Sequence, residues 1–134
     1  MAQARATLDP PAPDRACQRF NFIELPLQEV APQPGRYDVV WIQWCIGHLP
    51  DDDLVAFLRV CASSLAPGGV VVVKENNAKK GFVLDKEDQS VTRSDAYLVQ
   101  LFRQSGMKLL ASQRQEEGLP EGLFAVRAYA LAPP

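Results

Sequence analysis

Two short stretches of this chain combine residue types that polar chemistry needs. In W-I-Q-W-C-I-G-H-L, residues 41–49, Gln43, Trp44 and His48 stand at or just past the end of an apolar run. Trp44 offers a flat wall with one N–H donor, Gln43 offers a donor and an acceptor, and His48 can exchange a proton near neutral pH. In the second stretch Lys74, Glu75, Asn76 and Asn77 follow four valines, and Asp85, Asp88 and Ser90 come shortly after. Two carboxylates three residues apart beside an amide can hold a cationic amine. A plainer reading stands beside each: both tryptophans in the core, His48 capping the next helix, the carboxylates solvated on a loop. Cys17, Cys45 and Cys61 are far apart with no C-x-x-C pair, so no zinc site or disulfide framework is expected and the thiols should be reduced, two of them buried.

These side chains need elements to hold them. Residues 37–44 are rich in β-branched and aromatic residues and apolar on both faces, as in a parallel strand buried between helix layers. Asp51, Asp52 and Asp53 place negative charge where a helix dipole favours it, and Leu54, Phe57, Leu58, Cys61 and Leu65 recur at helical spacing. Ala66-Pro67-Gly68-Gly69 should stop that helix, and residues 70–74 should form a second buried strand, giving a βαβ crossover. Residues 76–93 are polar without period, which predicts a long irregular loop of the kind that carries function. Ser94 can cap a helix bearing Tyr97, Leu98, Leu101 and Phe102, stopped by Gly106. Residues 107–114 and 123–131 then read as an antiparallel pair of strands.

Nearer the start, residues 20–24 predict a short strand, and six of the eleven prolines fall within the first 36 residues. Residues 1–19 therefore read as a poorly ordered Pro-rich arm, and 20–134 as the folded part. With 134 residues, 47% hydrophobic and 22% charged, the chain suits one globular domain. A formal charge of −2 argues against general nucleic-acid binding. No apolar run approaches the roughly 20 residues of a membrane span, and the first residues lack the apolar stretch of a secretory signal, so an intracellular protein is expected.

The blocks at 37–49, S-L-A-P-G-G at 64–69, V-K-E-N at 73–76 and L-D-K-E-D-Q-S-V-T-R at 84–93 resemble the alpha-N-terminal protein methyltransferases, over about residues 20–131. The resemblance implies an α/β fold, the C-terminal half of a Rossmann-like class I methyltransferase sheet: parallel strands plus a terminal antiparallel hairpin. It implies S-adenosylmethionine as cofactor and protein substrates with free X-Pro-Lys or X-Pro-Arg N-termini. It implies that Leu27, Gln28 and Gln43 help bind the cofactor, that Trp44 lines the substrate channel, and that Asn76, Asp85, Asp88 and Ser90 engage the incoming N-terminus, with His48 and Asp88 as proton acceptors. An α-amino group, with a pKa of about 7.7–8.0, must lose its proton before it attacks a methyl carbon. A nuclear and cytoplasmic location follows from the family's targets alone.

Two departures from the family pattern stand out. Phe124 occupies a position where a tyrosine often touches the substrate. The chain also has no glycine before Gly35, so the glycine-rich turn and the acidic residue that hold the cofactor in such sheets have no counterpart. In the usual strand order, 3-2-1-4-5-7-6, the strand at 37–44 would be left with an open edge. The expectation is a partial product or alternative-start form, inactive in isolation. The competing reading is a non-catalytic peptide-binding or interaction module, and a nicotinamide-linked oxidoreductase is disfavoured because its fingerprint is absent too.

Overall fold

The computed structural model describes residues 20–116, 118 and 122–134, and the expected arm at 1–19 lies outside these. The chain divides into two compact units, Met1–Val30 and Ala31–Pro134. In the first, residues 20–26 form no strand, contrary to expectation, and a single 3-10 turn covers Leu27–Glu29. A strand exists through its ladder, and no described strand pairs with this segment. The rings of Phe20 and Phe22 lie 6.2 Å apart instead.

The second unit runs β1 (Tyr37–Gln43), α1 (Asp51–Ser64), β2 (Leu65–Asn77), β3 (Phe82–Asp85), β4 (Ser90–Arg93), α2 (Asp95–Gln104), β5 (Lys108–Arg114) and β6 (Ala125–Ala132). The main sheet has the order β1-β2-β6-β5, with β1 and β2 parallel and the other pairs antiparallel. This is the 4-5-7-6 part of the expected order. The segment expected as an irregular loop is instead a hairpin, β3 paired with β4 from Phe82 opposite Arg93 to Asp85 opposite Ser90. Its strands show no polar alternation because Phe82, Val83 and Leu84 are all exposed.

Both helices follow from their sequences. In α1 three aspartates fill the first turn, and Leu54, Phe57, Leu58 and Cys61 form one buried stripe. Leu65 stays buried but begins β2 rather than ending α1. In α2 the Ser94 hydroxyl accepts the Tyr97 N–H at 3.3 Å, and Gly106 at φ 88° ends the turn that follows. Along β2 burial alternates: Val71, Val73, Glu75 and Asn77 face the core, where Leu58, Leu98, Phe102 and Tyr129 also lie. The other face of the sheet leaves Val39 and Trp41 exposed, at 53% and 60%. Cys61 is buried and Cys45 half-buried, both free, so only one of the described thiols is as deep as expected, and Cys17 lies outside the described residues.

Candidate active site

The carboxyl ends of β1 and β2 meet where Gln43 pairs in register with Lys74. One residue further the Trp44 N–H donates to the Lys74 carbonyl at 3.1 Å, and Trp44 adopts a left-handed φ of 51°. A bulky residue in that region is uncommon and is held here by its surroundings. The turn leaves Trp44 half exposed at 49%, with Lys74 Nζ 5.4 Å from the ring centroid, a cation–π arrangement. The chain then passes through a 3-10 turn, Ile46–His48, anchored by the fully buried Ile46. His48 is exposed and does not cap α1, whose N-cap is Pro50 with no side-chain bond. Neither tryptophan is a core residue, so the plainer readings of this run fall away.

Across from that turn stands the β3–β4 hairpin. The Asp85 carboxylate accepts the N–H groups of Glu87 at 2.9 Å and Asp88 at 3.4 Å, and Asp88 accepts the Ser90 N–H at 3.0 Å. Local bonds of this kind close the turn, with Gln89 at φ 57° completing it. Gly47, His48, Asp85 and Ser90 share a concavity of about 310 Å³. A Cβ added at Gly47 would lie 3.3 Å from the Val91 carbonyl, so turn and hairpin touch there.

The remaining expected residues stand outside that concavity. Asp88 is on the hairpin tip, and Asn76 is half-buried on β2 opposite Val126. Gln43 accepts the Trp41 indole N–H at 3.1 Å on the exposed face of β1. Leu27 and Gln28 belong to the first unit. Phe124 lines a different cavity, of about 950 Å³, with Asn77, Lys79, Lys80, Arg114 and Arg127. Among the described residues no group of three or more His, Cys, Asp or Glu could hold a metal ion.

Two buried charges at this end of the sheet escaped the sequence reading. Glu75 is 8% exposed, and its Oε1 accepts the Asn76 N–H at 2.9 Å while Oε2 has no hydrogen bond. Burial pushes its carboxyl above the ordinary range, opposed by the facing amides of Asn76 and Ile46 and by the positive charge of Arg93 and His48. The neighbouring Cys45 thiol is raised by burial first and by Glu75 second. Arg93 is 3% exposed and reaches back to Ile46, Leu49 and Asp51. In the sequence Glu75 stands close behind an apolar run, whereas Arg93 closes a polar segment and carries no signal of its own.

The residues fit one flank of an S-adenosylmethionine site. Gln43 supplies a donor and an acceptor at the strand end, but no glycine-rich turn links a strand to its following helix among the described residues, where β1 passes to α1 through Gly47 alone. Sheet order, polar residues at the strand ends and a terminal antiparallel pair define the carboxyl half of a class I S-adenosylmethionine-dependent methyltransferase fold.

The chain belongs to the AdoMet-dependent proline di-methyltransferase family, whose sequence model matches residues 3–132. It is 60% identical over 111 residues to alpha N-terminal protein methyltransferase 1 of Arabidopsis thaliana, covering 83% of this chain and 40% of that protein. Against the human N-terminal Xaa-Pro-Lys N-methyltransferase 1 the identity is 44% over 111 residues, covering 83% and 49%. The chain thus spans less than half the length of these relatives. Among solved structures, a SAM-dependent methyltransferase from Leishmania major superposes with a TM-score of 0.74 at 39% identity, over 78% of this chain and 42% of that one. A Burkholderia thailandensis N-methyltransferase with bound S-adenosylhomocysteine, 18% identical, shares the fold with a TM-score of 0.69 over 82% of this chain and 49% of that one.

Proposed function

We propose that this chain carries the amine-receiving half of a protein N-terminal methyltransferase, acting on X-Pro-Lys and X-Pro-Arg N-termini in nucleus and cytoplasm. The observation that carries the reading is the shared concavity of His48, Asp85 and Ser90 next to the turn that Trp44 begins. The names of the Arabidopsis and human relatives supply the substrate class. When bound, the cofactor supplies an electrophilic methyl group on a sulfonium. The residues of this chain do the rest. Asp85 and Asp88 attract a basic third residue, and His48 or Asp88 takes the proton of the α-ammonium group. Trp44 and Asn76, which lie outside that concavity, would hold the freed nitrogen in one orientation with its lone pair available. Gln43, at the end of β1, would help hold the cofactor.

Titration of the chain with an X-Pro-Lys peptide and with X-Pro-Glu checks this. Preference for the lysine peptide by about tenfold, reduced in Asp88→Asn, is expected, and equal or no binding of both peptides refutes it. Mass spectrometry after incubation with cofactor separates catalysis from the second reading, a non-catalytic binding module. That reading draws on the open edge of β1 and gains if a well-folded sample binds peptide without methylating it.

A further inference from the structure

A guanidinium almost wholly removed from water is strongly disfavoured unless its donors are used. Arg93, the last residue of β4, uses them on one six-residue stretch of chain more than forty residues earlier. Nε and Nη2 each lie 2.8 Å from Oδ1 of Asp51, Nη2 also donates to the Leu49 carbonyl at 2.6 Å, and Nη1 to the Ile46 carbonyl at 3.3 Å. The two carbonyls flank His48. Asp51 is fixed in turn by the Tyr97 hydroxyl, which donates to Oδ2 at 2.6 Å. The Arg93 carbonyl accepts the Ala78 N–H at 3.1 Å, tying the hairpin to the end of β2. One side chain therefore joins the turn that bears His48, the start of α1 and the hairpin that bears Asp85 and Ser90.

We infer that Arg93 is a positioning residue: by bonding the carbonyls on either side of His48 it sets the distance and orientation of the imidazole relative to Asp85 and Ser90. The inference rests on the function proposed above for that concavity. Its physical content is the geometry of the fork. A planar guanidinium can hold the Ile46 and Leu49 carbonyls and the Asp51 carboxylate at once, whereas an ammonium is a point charge on a flexible stem. Removing the fork takes from the Leu49 carbonyl its bond to Nη2, leaves the Ile46 carbonyl only the Leu49 N–H at 3.1 Å, and frees the 46–49 turn to reorient. The close approach at Gly47 makes that movement visible, since its backbone lies against Ser90 and Val91.

The test measures nuclear Overhauser contacts from the Gly47 α protons to Ser90 and Val91, with X-Pro-Lys peptide affinity in parallel, in the full chain and three variants. Arg93→Gln is expected to lose the contacts and to weaken the peptide by about tenfold or more, with a cooperative melt retained. Arg93→Lys is expected to recover part of both. Asp51→Asn, which loses the ion pair but leaves the carbonyl bonds, is expected to lower the melting temperature while keeping the contacts. Unchanged contacts in Arg93→Gln, or equal loss in Asp51→Asn, overturns the inference. If the Arg93 variants do not fold, exchange in the unmodified chain decides: slowly exchanging Arg93 guanidinium protons support the fork, and protons exchanging like those of a free arginine refute it. A chain that binds no peptide refutes the proposed function, while the contacts still judge Arg93.

Discussion

Glu75 follows Lys74 on β2 and points to the opposite face, which puts a carboxylate among the buried side chains that line the helices. Its raised pKa has a stability consequence. The favourable term is complete below the ordinary carboxylate range and is lost as pH rises through the elevated folded-state value, because the unfolded chain ionises more readily. Glu75→Gln keeps the acceptor for the Asn76 N–H and removes the charge. The variant should exceed the parent in stability at neutral pH by on the order of 1 kcal/mol, with the two curves converging in mild acid. Melting temperatures across that pH range check it, and a less stable variant at neutral pH would show that the charge of Arg93 more than offsets the burial. Tyr129 is the contrasting case, because its buried hydroxyl accepts from Asn77 Nδ2 and donates to Asp95, each at 2.9 Å. Burial first, and the bond to Asp95 second, push its phenol well above the ordinary range.

Two elements meet closely where β2 begins beside β1. The register shifts between Tyr37 and Val39, and Gly69 lies so close to β1 that an added Cβ would stand 2.8 Å from the Tyr37 carbonyl and 3.1 Å from that of Asp38. Neither neighbour is a flexible side chain. Gly69→Ala should therefore push β1 away and cost about 1–3 kcal/mol, read as a lower denaturation midpoint with faster amide exchange in β1 than in β6. Equal exchange in the two strands would disprove the local account. The same scale shows why the helices were legible and the hairpin was not. A stripe such as Leu54, Phe57, Leu58 and Cys61 repeats at the helical period because one side of α1 is buried. Phe82, Val83 and Leu84 are all exposed, so no face selects between residue types and no alternation marks β3.

On the scale of the molecule, β1 is an edge strand among the described residues, with a sequence that suits an interior one. Val39 and Trp41 are exposed on a strand that, among the described residues, pairs on one side only, an arrangement that promotes pairing with another chain. The protein is expected to self-associate with rising concentration, and Trp41→Lys to shift it towards monomer in sedimentation velocity. Concentration-independent monomer in the parent would contradict this. The same open side, with no glycine-rich turn among the described residues, predicts S-adenosylmethionine affinity weaker than micromolar for this chain, checked by calorimetric titration.

Periodicity and turn residues were enough to establish both helices and the four strands of the main sheet, because each rests on local preference or on which side is buried, while the family entered through the resemblance of the blocks at 37–49, 64–69, 73–76 and 84–93. Trp44 and His48 were legible at or just past the end of an apolar run, and Asp85 and Ser90 as polar residues of a segment without period. Tertiary structure alone decided that His48, Asp85 and Ser90 share a concavity while Asn76 and Asp88 stand outside it. It alone revealed Arg93 as the link across the site, since a guanidinium bonding carbonyls more than forty residues away leaves no pattern in the neighbouring sequence.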